Sequence, residues 1–213
     1  MKRIDLSRWP RRSHLKLFES YAVPYTSLVA PVRATALHSF AKSEGLGLFR
    51  PILWAVSTAA NAVPELRQRI RGAEVVEHEV VHPSYTMMSK AELFNYCTVP
   101  HRSAPRAFFA EVDAENARVE GETELLPDAP GRDDLLFVSS IPWRSFTALT
   151  HPVPLNPADS YPRITWGRAE PDTEGQVSLS LGIMAHHGLV DGVHMARFFE
   201  AFEAAAGDIA SLW

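Results

Sequence analysis

The stretch QVSLSLGIMAHHGLVDGVHMARFFEAF, residues 176–202, joins a strand pattern to a helix pattern through a short turn. Apolar residues alternate with small polar ones from position 177 to position 185, which is typical of a strand with one buried face. After the turn, Met195, Phe199 and Phe202 recur at helical spacing and predict an amphipathic helix. A strand that leads directly into a packed helix is a common unit of folds that combine helices and sheets.

The rest of the chain repeats both patterns. Helical periodicity predicts helices over 33–45, 48–63, 104–119 and 191–207, the first and last closed by Gly45 and Gly207. β-Branched or alternating runs predict strands over 73–82, 84–88, 93–99, 135–140, 161–167 and 176–185. We therefore predict an α/β (α+β) two-layer sandwich with a mixed β-sheet, formed by a single domain over residues 1–213.

Composition restricts the partners and the compartment. The formal net charge of −4 provides no basic surface of the kind that nucleic acid requires. Cys97 is the single cysteine, so an internal disulfide and a thiolate zinc site are both excluded. We find neither a signal-peptide pattern nor an apolar run of about 20 residues, the length that spans a bilayer. We expect a cytoplasmic protein that binds neither nucleic acid nor membranes.

The turn in the opening stretch carries a candidate pair, His187 and Asp191. If the strand continues regularly, His187 falls on its apolar face, where partial desolvation favours the neutral ring that a general base needs. His186 points the other way and is the weaker candidate. Two simpler interpretations stay open: His187 as a packed histidine at a strand end, and Asp191 as the N-cap of the following helix.

The segment HEVVH, His78 to His82, matches the HExxH pattern of zinc proteases. That pattern needs a helix, whereas the alternating β-branched surroundings here predict a strand. In a strand the two imidazoles lie roughly 13 Å apart, at about 3.3 Å per residue, which is too far to share one zinc ion. We therefore expect no metal site.

Five segments together resemble the chloramphenicol acetyltransferase family, in the family's order along the chain. They are DLSRWPRRSHLKLF (5–18), NAVPELRQRI (61–70), VHPSYT (81–86), VSSIPWRSFT (138–147) and IMAHHGLVDGVH (183–194). The resemblance implies a CoA-dependent O-acetyltransferase that moves the acetyl group of acetyl-CoA, a co-substrate and not a tightly bound cofactor, to a hydroxyl of chloramphenicol or a related small molecule. It also implies a homotrimer with active sites at the subunit interfaces, no metal, and a role in antibiotic resistance.

The resemblance assigns catalytic roles to three residues. His187 matches the general base that removes the proton from the acceptor hydroxyl. Ser145 matches the serine whose hydroxyl stabilises the oxyanion of the tetrahedral intermediate. Thr165 matches a threonine that acts through water.

Two further residues match a supporting ion pair. Asp191 matches an aspartate that is structural, not catalytic, and its arginine partner aligns with Arg11, although the adjacent Arg12 is an alternative. A Ser-His-Asp triad with Ser145 as nucleophile is a competing interpretation, but the chain has no GxSxG elbow. An acyltransferase for a different alcohol or amine, and a trimeric binder of small molecules or acyl-CoA without turnover, also remain open.

The acceptor pocket is where the chain departs from the family. We assign Phe18, Pro24, Leu125, Leu126 and Trp143 to this pocket. Pro24 aligns with a cysteine of the enzymes that acetylate chloramphenicol, and Leu125 and Leu126 align with a Tyr-Phe pair. Aliphatic side chains in place of aromatic ones change both the shape and the stacking of a pocket.

Overall fold

The computed structural model describes residues 1–89, 92–122, 124–125 and 131–213. The helices are α1 (Arg12–Phe18), α2 (Thr35–Ser43), α3 (Phe49–Ala62), α4 (Pro105–Val119) and α5 (Gly192–Leu212). The strands are β1 (Lys2–Arg3), β2 (Tyr25–Arg33), β3 (Gln68–Arg71), β4 (Glu74–Glu77), β5 (His82–Met88), β6 (Phe94–Thr98), β7 (Leu135–Ile141), β8 (Arg163–Gly167), β9 (Glu170–Pro171) and β10 (Val177–His186).

The larger sheet has the order β2-β10-β8-β7-β5-β6, with the short β9 paired to the start of β10. The β5–β7 and β7–β8 pairs are parallel, whereas β10 runs antiparallel to both β2 and β8. The sheet is therefore mixed, which confirms the prediction. Parallel neighbours need long connections, and α4 lies within the connection that precedes β7.

The core lies between one face of β10 and the helices α3 and α5. Leu181 and Ile183 of β10 are buried in one cluster with Trp54 of α3 and with Phe198 and Phe202 of α5. Burying each such side chain stabilises the fold by about 1.5–3 kcal/mol. The helix α5 continues through Gly207 to Leu212, so the prediction that this glycine closes the helix was wrong. Burial of Ile209 in the core explains the extension.

Of the strand predicted over 73–82, only the first half is a strand, and the following residues connect two different sheets. The first, β4, ends at Glu77 and lies between β1 and β3 in a three-stranded antiparallel sheet, whereas β5 begins at His82 in the larger sheet. Between them the Val81 amide donates to Asn61 Oδ1 at 2.9 Å, so tertiary hydrogen bonds replace the strand pairing. The HEVVH segment is not helical, and the described residues hold no cluster of three metal-binding side chains.

The sequence patterns did not predict α1, β2 or β3. Strand β2 contains Pro31, which has no amide hydrogen to donate and which disfavours a central strand. The structure places β2 at one edge of the larger sheet, where a missing donor is tolerated. Within the described ranges, no helix combines the length and the apolar character that crossing a membrane would require.

Candidate active site

His187 lies one residue beyond the end of β10, in the tight turn that leads to α5. Its backbone amide donates to the carbonyl of Pro24 at 2.8 Å, which ties the turn to the start of β2. Its ring stacks on Phe18, with the ring centres 4.2 Å apart and the planes at 20°. The side chain keeps a third of its surface exposed. The imidazole is thus held in place without being sealed from a substrate.

The ring nitrogens of His187 have different environments. Nδ1 lies 2.9 Å from the carbonyl oxygen of Val190 and 3.2 Å from Oδ1 of Asp191. Both partners only accept hydrogen bonds, so Nδ1 carries the hydrogen and the lone pair of the neutral ring lies on Nε2. A neutral imidazole with a fixed tautomer and an available Nε2 can accept a proton from a bound hydroxyl.

Arg11 holds the turn in place through hydrogen bonds and an ion pair. Its guanidinium forms a two-point ion pair with Asp191, with Nη2 3.0 Å from Oδ1, and this pairing lowers the pKa of the Asp191 carboxyl. The same guanidinium donates to the carbonyls of His187 at 2.9 Å and Gly188 at 3.3 Å. Arg12 is exposed, so Arg11 is the partner of Asp191. One cation therefore connects α1, the histidine turn and the start of α5.

Asp191 has two structural roles in this arrangement. It occupies the N-cap position of α5, and its backbone amide donates to Nδ1 of His194 at 2.8 Å. Its carboxylate meanwhile pairs with Arg11. The helix cap and the ion pair, which the sequence left as alternatives, coexist.

His186 is the more deeply buried of the two adjacent histidines, contrary to the expected alternation. The expectation failed because β10 ends at His186 and because Met184 and His186 are also buried, so both faces of this end are covered. His186 is 4% exposed, and its Nδ1 accepts the Gly188 amide at 3.1 Å. Burial lowers its pKa to about 4, so this ring stays neutral and supports the turn.

The burial of His186 predicts a pH-dependent stability. The unfolded chain binds this proton below about pH 6.5, whereas the folded chain binds it only near pH 4, so stability falls as the pH drops through that window. In His186→Asn, whose amide oxygen can still accept from Gly188, we expect the slope of unfolding free energy against pH to decrease by up to about 1.4 kcal/mol per pH unit. Urea titrations between pH 4.5 and 6.5 measure it. Exposed His14→Asn is the control, and an unchanged slope in His186→Asn would contradict the prediction.

Ser145 and Thr165 lie in a different part of the chain from His187. Ser145 is exposed in the loop after β7, where its hydroxyl lies close enough to Glu170 to lower the pKa of that carboxyl. The next residue, Phe146, donates its amide to Oγ of Ser180 on β10 at 3.3 Å. Thr165 is buried within β8 opposite Gly182.

These positions separate the predicted catalytic residues within one chain. Ser180 of β10 lies seven residues before His187, which corresponds to roughly 23 Å for an extended chain at about 3.3 Å per residue. Thr165 faces Gly182, five residues or roughly 16 Å from the histidine. The predicted catalytic residues of one chain therefore fall into two candidate half-sites, the first around His187 and the second around Ser145 and Thr165.

Three of the residues predicted to line the acceptor pocket lie near these two regions. Phe18 and Pro24 both contact His187. Trp143, 60% exposed, lines a cavity of about 580 Å³ together with residues of α3 and β7. Leu125 is 57% exposed, and Leu126 lies outside the described residues.

A second cavity, of about 270 Å³, lies beside Thr165 and was not predicted from the sequence. Hydroxyl groups from β5 and β7, including Thr86 and Ser139, form part of its lining, and aromatic rings form another part. His151 also lines it, with Nε2 3.4 Å from Oγ1 of Thr165. No sequence signal pointed to His151, because it is a single histidine in a proline-rich loop.

Comparison with known proteins identifies relatives over nearly the whole chain. A family model for chloramphenicol acetyltransferase matches residues 1–203. Chloramphenicol acetyltransferase 2 of Escherichia coli is 28% identical over 209 residues, covering 97% of each chain. A chloramphenicol acetyltransferase of Bacillus pumilus is 26% identical over 200 residues, covering 93% of this chain and 90% of the relative.

The fold is also similar to that of a known protein. A solved chloramphenicol acetyltransferase superimposes with a TM-score of 0.80 at 24% identity, covering 96% of each chain. This likeness confirms the predicted fold class. Because the family model covers nearly the whole chain, the protein belongs to the chloramphenicol acetyltransferase family of acetyl-CoA-dependent acyltransferases.

Proposed function

We propose that this protein transfers the acetyl group of acetyl-CoA to a hydroxyl of chloramphenicol or of a related small molecule, with His187 as the general base. The environment of His187 is the observation that carries the proposal. Its Nδ1 faces a carbonyl, its ring is stacked on Phe18, and its Nε2 is left to receive a proton. A binder without turnover has no need of a proton acceptor fixed in this way.

The acetyl group passes directly from acetyl-CoA to the acceptor, without a covalent enzyme intermediate. Nε2 of His187 takes the proton of the acceptor hydroxyl as that oxygen attacks the thioester carbonyl carbon of acetyl-CoA. Ser145 donates a hydrogen bond to the resulting oxyanion, and Thr165 acts beside it through water. When the tetrahedral intermediate collapses, the carbon–sulfur bond breaks, and the leaving thiolate receives the proton from His187. The products are an acetyl ester and free CoA.

We further propose that each active site forms between two subunits of a homotrimer, where His187 of one chain meets Ser145 and Thr165 of its neighbour. The separation of the two half-sites by roughly 16–23 Å supports this arrangement. Exposed apolar side chains near the histidine also support it, since a partner surface would cover them. They are Leu17, Tyr21, Val23 and Leu28, the last on the edge strand β2.

The acceptor and the compartment are parts of the same proposal. Chloramphenicol is the acceptor in the names of the relatives, and the half-site around Phe18 and Pro24 would contact it together with Trp143 of the neighbouring subunit. Acetyl-CoA acts as co-substrate and not as a tightly bound cofactor. We propose that the enzyme works in the cytoplasm and protects its host from the antibiotic.

The experiment is a measurement of free-thiol release from acetyl-CoA with chloramphenicol as acceptor. We expect release that depends on both substrates and produces acetylated chloramphenicol, identified by mass spectrometry. If the protein binds acetyl-CoA but releases no thiol with chloramphenicol or with a panel of alcohols and amines, the proposed activity is wrong. Release with a different alcohol would keep the reaction and change the acceptor.

A further inference from the structure

The peptide group between Val190 and Asp191 lies between two imidazole rings. Its carbonyl oxygen is 2.9 Å from Nδ1 of His187, and its N–H donates to Nδ1 of His194 at 2.8 Å. Because a trans peptide is planar, its N–H and C=O point in opposite directions, and a hydrogen bond on one side fixes the direction of the group on the other. The ring of His194 therefore determines where the acceptor for His187 lies.

The ring of His194 is itself held on its far side. The residue is 7% exposed in the first turn of α5, and its Nε2 lies 3.5 Å from Oε1 of Glu65. Glu65 belongs to the single helical turn Pro64–Arg67 that follows α3. The contact therefore connects the histidine turn to a segment that is distant in the sequence.

Only one form of the His194 ring fits these neighbours. Nδ1 accepts the hydrogen of a backbone amide, so the ring hydrogen lies on Nε2 and faces the Glu65 carboxylate. Burial lowers the pKa of His194, and Arg11 and Arg197 act in the same direction, whereas the charges of Glu65 and Asp191 oppose them. The ring is therefore neutral at pH 7 and keeps its acceptor nitrogen.

We propose that His194 is a positioning residue, which acts on His187 through the peptide between Val190 and Asp191. By holding the N–H of this peptide, the ring of His194 aims the carbonyl at Nδ1 of His187, which keeps the hydrogen on that nitrogen and the lone pair on Nε2. Successive hydrogen bonds in such a chain also polarise one another. The inference rests on the proposed function in that His187 is taken as the base, but the two tautomers do not depend on it.

Nitrogen-15 spectra of the histidine side chains show which nitrogen of each ring carries the hydrogen. They are recorded on the purified protein at pH 8 without substrates, and the signals are assigned by their loss in His187→Ala and in His194→Gln. We expect the wild type to carry the hydrogen on Nδ1 at His187 and on Nε2 at His194. A hydrogen on the other nitrogen of either ring overturns the inference, whether or not the protein transfers acetyl groups.

His194→Leu removes the acceptor of the Asp191 amide and leaves an apolar side chain in its place. We expect the Nδ1 resonance of His187 to move toward that of a nitrogen without hydrogen, because the two tautomers then mix. We expect kcat for acetyl transfer to fall about tenfold while KM for both substrates stays within about twofold, since a misplaced catalytic group lowers the rate and not the binding. An unmoved Nδ1 resonance overturns the inference.

His194→Gln keeps the hydrogen bond without the imidazole. Glutamine is a usual residue at the third position of a helix with a capping box, where its side-chain oxygen accepts the N-cap amide. We expect this variant to keep the wild-type tautomer at His187 and a kcat within about threefold of the wild type. If it folds but shows the losses expected of His194→Leu, the hydrogen bond to the peptide is not the cause and the inference is wrong.

Phe202→Leu is the control for a general loss of stability, since Phe202 is buried in the core about three turns further along α5. We expect a lower Tm, an unchanged tautomer at His187 and a kcat within about twofold of the wild type. An equal change of tautomer in this control would mean that His187 responds to stability alone, which overturns the inference. The expected spectra without thiol release in any variant would refute the acetyl transfer and leave the positioning of His187 supported.

Discussion

Replacement of His187 by alanine is expected to lower kcat for acetyl transfer by about 10²- to 10⁴-fold, the range typical of a lost general base. The structure gives the reason, since Nδ1 is held by the Val190 carbonyl and Nε2 is the nitrogen left for the acceptor proton. Thiol release from acetyl-CoA under saturating acceptor measures the change. The affinity for acetyl-CoA should stay within about threefold, because the ring acts on the proton and not on the co-substrate.

The control is His14→Ala, which removes an exposed imidazole from the same helix that carries Phe18. We expect this variant to keep wild-type turnover. Thermal unfolding and sedimentation of His187→Ala should match those of the wild type, since a side chain that is one-third exposed contributes little to the core. Turnover of His187→Ala within a factor of about three of the wild type would exclude His187 as the base.

Much of the fold followed from local sequence patterns. The alternation in β10 and the helical stripe in α5 predicted both elements, because each buries one face against the other. Strand β2 was not predicted because Pro31 disfavours a strand except at the edge of a sheet, and the sequence does not show that this strand lies at an edge. The break after Glu77 depends on hydrogen bonds from a distant residue, Asn61, which no local pattern encodes.

The sequence named candidate site residues but could not give their arrangement. The HHGLVDG motif singled out His187 and Asp191, but the sequence could not say which nitrogen of the imidazole is held, because that depends on the position of a backbone carbonyl. Nor could the sequence decide whether Arg11 or Arg12 pairs with Asp191. In the structure Arg11 bonds to Asp191, whereas Arg12 is exposed. The proximity of His151 to Thr165 is a tertiary contact between a loop and a strand.

The distance between the two half-sites leads to a second prediction, that two inactive variants restore activity when they assemble together. If each active site combines His187 of one subunit with Ser145 of another, then chains with different defects can complement each other. His187→Ala and Ser145→Ala should each be nearly inactive alone; loss of one oxyanion donor typically costs about 10²–10³ in kcat. In a trimer that contains both chains, an interface between an intact histidine and an intact serine restores a wild-type site.

Co-expression of the two variants with different affinity tags, followed by purification over both, isolates such mixed assemblies. A mixed trimer holds two chains of one variant and one of the other, and one of its three interfaces then joins an intact histidine to an intact serine. The doubly purified assemblies should therefore recover about a third of the wild-type activity. The control pairs His187→Ala with the double variant that lacks both residues, in which no interface can be complete. Mixed assemblies as inactive as that control would mean that Ser145 and His187 do not share a site across subunits. Since Ser145 is next to Phe146, which bonds to Ser180 at roughly 23 Å from His187 along the same chain, Ser145 would then have no part in the reaction that His187 catalyses.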